Sequence, residues 1–287
     1  MKTYYFEIAG IGIRLDSVRE ISVTDKWNPF LCEEIPEEIK YEICAEECHM
    51  LPQRPLDGIR KGFVLYCKEP KIINFHYDIS EEEPYASTTI EDDHKITLHY
   101  LSSKEMLFEN TSAIFKHIGI ELLLNMQDGL LLHSSFVKYK DKAILFSAPS
   151  GTGKSTQADL WKYYRGADVV NGDRAALVSD KRGWSAWGLP YAGSSGIYRN
   201  ESAPVGALIV LRQGKENHIR KICGLEAFRC LYPELNIHHW DSEYVKRTME
   251  QLQKLICEVP IFLMECLPDE SAVEFLEHRL QEETILC

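Results

Sequence analysis

Apolar positions come in short bursts over the first hundred residues. Segments 4–8, 11–15, 63–66, 72–77 and 96–100 are of strand length, and Pro, Gly and acidic residues separate them, among them Pro36, Pro52, Pro55, Gly58 and the run 81–84. This pattern predicts a small β-rich domain with acidic loops. His76, His94 and His99 stand alone in it, as packed or surface residues. From Ser103 the period changes. Phe108, Phe115, Ile118, Leu122 and Met126 recur near helical spacing, which predicts a helix over 104–127, ended by Asp128-Gly129. Strands at 130–139 and 143–148 follow. Only Lys140-Asp141-Lys142 joins them, so they must run antiparallel. A helix at 156–165, an apolar segment at 168–170 and a hairpin of 175–179 with 184–187 come next. Then come a Gly/Ser loop at 188–196, a buried strand at 204–211, helices at 225–231 and 242–257, a strand at 261–266 and a helix at 269–281. The expected fold class is α/β with a mixed sheet over 103–287, preceded by a β-rich domain over 1–102.

Composition narrows the options. A chain of 287 residues suits roughly two domains. Its 32 basic and 44 acidic residues give a net charge of −12, which argues against a general nucleic-acid or anionic-membrane binder. A small anionic ligand needs only a local positive site and stays open. The start reads as strand, Gly turn and strand, so no signal peptide is expected. The longest apolar runs, 118–124 and 129–132, are broken by Glu121, Asn125 and His133, so no membrane span is expected. The nine cysteines include no paired CxxC motifs, which fits free thiols in a reducing cytoplasm. Cys44, Cys48 and His49 sit in a Glu-rich stretch with no second ligand pair, so they read as an ordinary segment rather than a metal site.

The chemistry concentrates at residues 148–156, Ala-Pro-Ser-Gly-Thr-Gly-Lys-Ser-Thr. This is the phosphate-binding spacing G-x-x-x-x-G-K-[ST] with Ala148 at the first position. Gly151 and Gly153 can take backbone angles that other residues avoid, and they leave room for a phosphate against the main chain. The N–H groups of Ser150, Gly151, Thr152, Gly153, Lys154, Ser155 and Thr156 can form a concave anion nest at a helix N-terminus. Lys154 can reach the outer phosphates of a nucleotide, and Ser155 can bind Mg²⁺. An apolar strand before and an amphipathic helix after supply the required context. The alternative is a Gly-rich strand-to-helix turn with a chance Lys-Ser.

A phosphate-bound metal needs a carboxylate from a neighbouring strand end. Asp173, in Val-Val-Asn-Gly-Asp-Arg, is the candidate, although Asn-Gly-Asp is also turn chemistry. The loop at 188–196, followed by Arg199, has the composition of a lid, with Arg199 as a candidate to neutralise transition-state charge. A plain loop is an equal alternative.

The order Leu-His-Ser-Ser (132–135), hairpin, SAPSGTGKST, VVNGDRAAL, GLPYAGSSG and SAPVGALIVL resembles the HPr serine kinase and phosphoenolpyruvate carboxykinase superfamily. More closely, it resembles the HPr-kinase-related proteins of modified-peptide pathways and of free-serine phosphorylation. The resemblance covers about residues 130–266. It implies a nucleotide-binding kinase domain using ATP and Mg²⁺, with His133 near the transferred phosphoryl group. It places Lys154 and Ser155 as the loop lysine and metal ligand, and Asp173 as the second Asp of the family's Asp-Asp pair. Gly172 stands where the first Asp of that pair, the family's base, would be. His133 or Asp173 would then accept the hydroxyl proton. The Glu of the family's loop after the hairpin has no counterpart at 188–193, which counts against a reverse, phosphate-dependent reaction.

Two functions follow as expectations. The first is an ATP- and Mg²⁺-dependent kinase acting on a hydroxyl, serine foremost, of a peptide, protein or small metabolite. The second is a nucleotide-binding regulatory or assembly protein without transfer, a reading that Gly172 supports. A carboxykinase-type enzyme fits less well, because the chain is short and shows no Arg-rich pocket for a dicarboxylate. The N-terminal domain could bind a peptide by strand addition. The sequence leaves an oligomer open.

Overall fold

In the computed structural model, residues 1–53, 58–61, 64–67, 72–78, 82–191 and 193–286 are described. Pro55, Phe63, Glu81, Ala192 and Cys287, used above, lie outside the described residues. The chain divides into two compact units, Met1–Leu123 and Leu124–Cys287. The expected boundary at 102/103 therefore falls inside the first unit.

The first unit is built on one sheet. Its strands are β1 (Lys2–Ile8), β2 (Ile11–Ser17), β3 (Tyr41–Cys48), β4 (Ile59–Lys61), β5 (Val64–Cys67), β6 (Ile72–Tyr77), β7 (Pro84–Ile90) and β8 (Lys95–Leu101). They are ordered β1-β2-β3-β8-β7-β6-β5-β4. Three of these strands, β3, β4 and β7, lie outside the segments that the sequence predicts as strands. In β3, Tyr41, Ile43 and Ala45 alternate inward with Glu42 outward, a strand period hidden by the acidic residues between them. In β7 three of the buried positions, Ser87, Thr88 and Thr89, are polar. His76 is not isolated. It is buried, shares a hydrogen bond with Thr88 Oγ1 (3.1 Å) and packs edge-on to His117. Burial pushes its pKa down to about 3, so it stays neutral.

The helix expected at 104–127 is broken. A 3-10 segment Ser102–Phe108 precedes α1 (Thr111–Ile118) and α2 (Ile120–Met126). Asn110 caps α1 by accepting from Ala113 N at 3.0 Å. Gly119, at φ 85°, ends it, because that angle cannot continue a helix. Phe115 then stacks on Trp27 (centroids 4.0 Å apart) with Phe6 edge-on to both.

The second unit opens with β9 (Leu130–Tyr139), β10 (Lys142–Ser147), α3 (Lys154–Arg165), β11 (Asp168–Asn171), β12 (Arg174–Asp180) and β13 (Gly183–Trp187). It closes with β14 (Ser202–Gln213), β15 (His218–Ile222), α4 (Gly224–Leu231), α5 (Ser242–Glu258), β16 (Ile261–Cys266) and α6 (Glu270–Glu282). The sheet order is β10-β9-β12-β13-β14-β16-β15, with β11 on β9. Because β10 also pairs parallel to β14, strands β10, β9, β12, β13 and β14 close a circuit.

Helices cover both faces of this sheet, and the alternation of side chains shows it. On β10, Leu145 joins Leu252 and Leu255 of α5, while Ile144 and Phe146 join Trp161 of α3 and Leu276 of α6. On β14, Leu208 and Val210 face the first cluster, and Ala207, Ile209 and Leu211 face the second. Strands apolar on both faces mark a doubly covered sheet. β15 escaped the sequence pattern because it is a charged edge strand, with His218, Arg220 and Lys221 exposed.

Asp241 caps α5. Its Oδ1 accepts from Glu243 N (3.0 Å) and Tyr244 N (3.4 Å), and the side chain is buried. Asp241→Ala should cost about 1 kcal/mol, measured by urea unfolding. No helix among the described residues is long and apolar enough to cross a membrane.

Candidate functional site

β10 delivers the chain into the loop at 148–153, and α3 begins at Lys154. Gly151 (φ 80°) and Gly153 (φ 119°) hold the left-handed angles that the loop requires. A Cβ at either would meet nothing within 4 Å, so the space in front of the loop is open. Ala148 does not crowd the entry. Its side chain is buried in the apolar cluster under α3, and only its carbonyl turns toward the loop. Lys154 lies folded back, its Nζ donating to Ala148 O (2.7 Å) and Pro149 O (3.4 Å). Burial lowers its pKa below the usual lysine value, while Glu234 and Asp173 pull the other way. Ser155 and Thr156 open the helix as exposed side chains, and Ser150 is exposed in the loop.

Sheet register brings the next residues alongside. Arg174 of β12 pairs with His133 of β9, and Ser134 N donates to Asp173 O at 3.0 Å. His133 Nε2 thereby stands 3.7 Å from Asp173 Oδ1. On its other side, Nδ1 lies 2.9 Å from Glu234 Oε2. The carboxylate can only accept, so Nδ1 carries the hydrogen and Nε2 is left to take a proton on the Asp173 side. The Glu234 side chain is 8% exposed. The strand-like contact of Leu235 with Leu132, and Asn236 N donating to Leu131 O (3.1 Å), hold its segment against β9. A small cavity of about 180 Å³ opens beside His133, Asp173, Arg174 and Glu234.

Sequence reasoning missed Glu234 and Asn171. Asn171 is fully buried. Its Oδ1 accepts from Asp173 N (2.9 Å) and Arg174 N (3.0 Å), and its Nδ2 donates to Leu189 O (3.0 Å) and Tyr191 O (2.6 Å). One amide thus fixes the Asp173 turn and the start of the following loop together. The Asn-Gly-Asp run was the available signal, since Asn and Asp side chains organise such turns. Glu234 had no local signal.

Gly172 has a structural reason. A Cβ there would lie 2.2 Å from Ser195 Oγ and 2.6 Å from Ser195 Cβ. One at Gly193 would lie 2.7 Å from Asp173 Cβ. The loop therefore packs its 3-10 turn Gly193–Ser195 directly onto Gly172 and Asp173. Gly172→Asp should cost roughly 1–3 kcal/mol in urea unfolding and raise protease cutting at 193–196. Adding Ser195→Gly should recover most of the loss. A Gly172→Asp protein of unchanged stability and protease resistance would contradict this packing.

Arg199 is not brought to the site. Its guanidinium is paired with Asp168 (3.0 Å) and Glu201 (3.4 Å). Asp168 opposes Lys138 on β9, about 17 Å along the strand from His133. Arg199 is thus not placed to neutralise charge at the loop. Lys154, His133 and Asp173 do converge, joined by Glu234.

No family profile and no curated protein matches the chain. Among solved structures, the HPr(Ser) kinase/phosphatase of Coxiella burnetii is similar at 15% identity, over 54% of this chain and 93% of that one, with a TM-score of 0.31. A TM-score at that level does not establish a shared fold.

Proposed function

We propose that the second unit is an ATP- and Mg²⁺-dependent kinase that transfers the γ-phosphoryl group to a hydroxyl, serine foremost. The observation that carries this reading is the convergence of Lys154 and its loop with the His133–Asp173–Glu234 cluster. The residues fit the nucleotide: two glycines at positive φ, open space before the loop and a lysine beside it. They fit the metal too, since Mg²⁺ bound to phosphates needs only one or two protein ligands and keeps its waters. Ser155 and Asp173 would supply them. The metal would neutralise charge that develops on the phosphate oxygens.

The chain's own residues do the rest. Loop amides and Lys154 bind and orient the phosphates. Glu234 fixes the His133 ring, so that Nε2 or Asp173 takes the hydroxyl proton as the acceptor oxygen bonds to phosphorus and ADP leaves. The loop at 193–196 lies against Asp173 and holds its turn in place. Incubation with γ-labelled ATP, Mg²⁺ and a panel of serine-bearing acceptors tests the reading. Label transfer that disappears with EDTA is the expected result.

A second reading, nucleotide binding without transfer, is favoured by Ser195 filling the space in front of Gly172. Tight ATP binding with no turnover across the panel would support it.

A further inference from the structure

Among the described residues, most arginines are paired with carboxylates. With 44 acidic against 32 basic residues, a guanidinium has many carboxylates to choose from. Every other arginine whose side chain is described forms an ion pair with a carboxylate. Among the described residues, Arg212 and Arg229 alone do not. Both are exposed, and both line the same cleft, of about 610 Å³, against loop residues Pro149–Thr152. Glu265 stands opposite Arg212 in the strand register and still makes no ion pair with it. Glu226, within electrostatic reach of Arg212, is held by Arg220.

The position of this cleft says what it serves. Pro233 and Glu234 line it, and they also line the smaller cavity at His133 and Asp173, so the two spaces adjoin. A second cleft of about 340 Å³ continues along the loop to Gly153, Thr156 and Gln157; it shares Arg212 with the first, and Arg229 has no part in it. That second cleft leaves room for the nucleoside. The first adjoins the cavity of the candidate proton acceptor through Pro233 and Glu234, and it carries two permanently charged guanidiniums, each able to grip an oxyanion with two parallel hydrogen bonds.

We propose that Arg212 and Arg229 form an oxyanion subsite for the acceptor. The acceptor therefore carries a carboxylate or phosphate group as well as its reacting hydroxyl. This rests on the kinase reading above. The two arginines come from β14 and α4, 17 residues apart, which is why the sequence showed no Arg-rich stretch.

The test is calorimetric titration of the full chain saturated with Mg·ADP. The probes are N-acetyl-L-serine, sn-glycerol 3-phosphate and the neutral N-acetyl-L-serinamide. At least one anionic probe should bind and the neutral one should not. Whichever anion binds more tightly distinguishes carboxylate from phosphate. Arg212→Ala and Arg229→Ala should each weaken that probe about tenfold or more, and Arg229, which lines only the first cleft, should leave ADP affinity unchanged within about twofold when replaced. Arg229→Lys should recover only part of the loss, because it keeps the charge and loses the fork. The subsite is overturned if no anionic probe binds, if the amide binds as well, if both alanine variants bind like wild type, or if Arg229→Ala weakens ADP as much as it weakens the probe. If the wild type does not bind Mg·ADP at all, the kinase reading itself falls, and the subsite with it.

Discussion

Lys154→Ala should lower ATP turnover by about 10²- to 10³-fold, the usual cost of removing one preorganised donor to developing charge. Neither Arg199 nor Arg174 is placed to substitute for it. Arg199 is committed to Asp168 and Glu201 at the far end of β11. Arg174 is paired with Asp173 at 3.4 Å and lies over the Tyr191 ring. Lys154 is buried and held on two loop carbonyls, so its charge is desolvated before any nucleotide arrives. That cost appears as a lowered pKa. The unfolded chain therefore binds the lysine proton more tightly than the folded one does. Below the folded-state pKa the charged lysine costs stability, and the cost fades as pH rises through the window between the folded and unfolded values. Lys154→Met, which keeps the apolar stem and removes the charge, should thus lose activity without melting lower than wild type. Nucleotide affinity of the wild type should fall on the alkaline side at a lower pH than an ordinary lysine would dictate. A Lys154→Met protein that turns over normally, or that fails only because it unfolds, would refute this role.

Glu234→Gln should lower kcat by about 10²-fold while leaving the KM for ATP nearly unchanged. Glu234 hydrogen-bonds His133, so it acts as a positioning residue. Its carboxylate fixes the hydrogen on Nδ1 and aims Nε2 at Asp173. An amide in its place can turn its NH₂ toward Nδ1 and reverse the tautomer, which moves the hydrogen to the wrong nitrogen. The effect should be non-additive with His133→Ala, because two residues that act through one proton cannot be lost twice. Equal falls in kcat and in ATP affinity would point instead to a disturbed phosphate loop. So would full additivity with His133→Ala.

The candidate loop at 148–156 was legible because its pattern is local. Gly-Thr-Gly-Lys-Ser-Thr needs no tertiary partner to state its spacing, and strand β10 before it and helix α3 after it carry their own periods. Asp173 was legible for a similar reason, as the end of an apolar run. What failed was whatever the fold decides at a distance. Glu234 reaches His133 because Leu235 and Asn236 pair with β9, a contact across a hundred residues that no spacing encodes. Arg199 follows a Gly/Ser loop, as a lid arginine would, yet Tyr198 pairs with Asn171 and sends the next side chain toward Asp168. Gly172 looked like a lost base. It is the place where Ser195 packs. The helix at 104–127 kept its apolar period across Gly119, and the positive φ there broke it. Periodicity reports burial, and a broken helix buries the same face.

The most direct measurement is a crystal structure of the protein with Mg·ADP. The account predicts phosphates seated on the amides of the 148–156 loop, with Lys154 Nζ drawn from Ala148 O onto them. The metal should lie between Ser155 Oγ and Asp173, with His133 still held by Glu234. Nucleotide bound elsewhere, or no nucleotide at all with Lys154 still on Ala148 O, would contradict it.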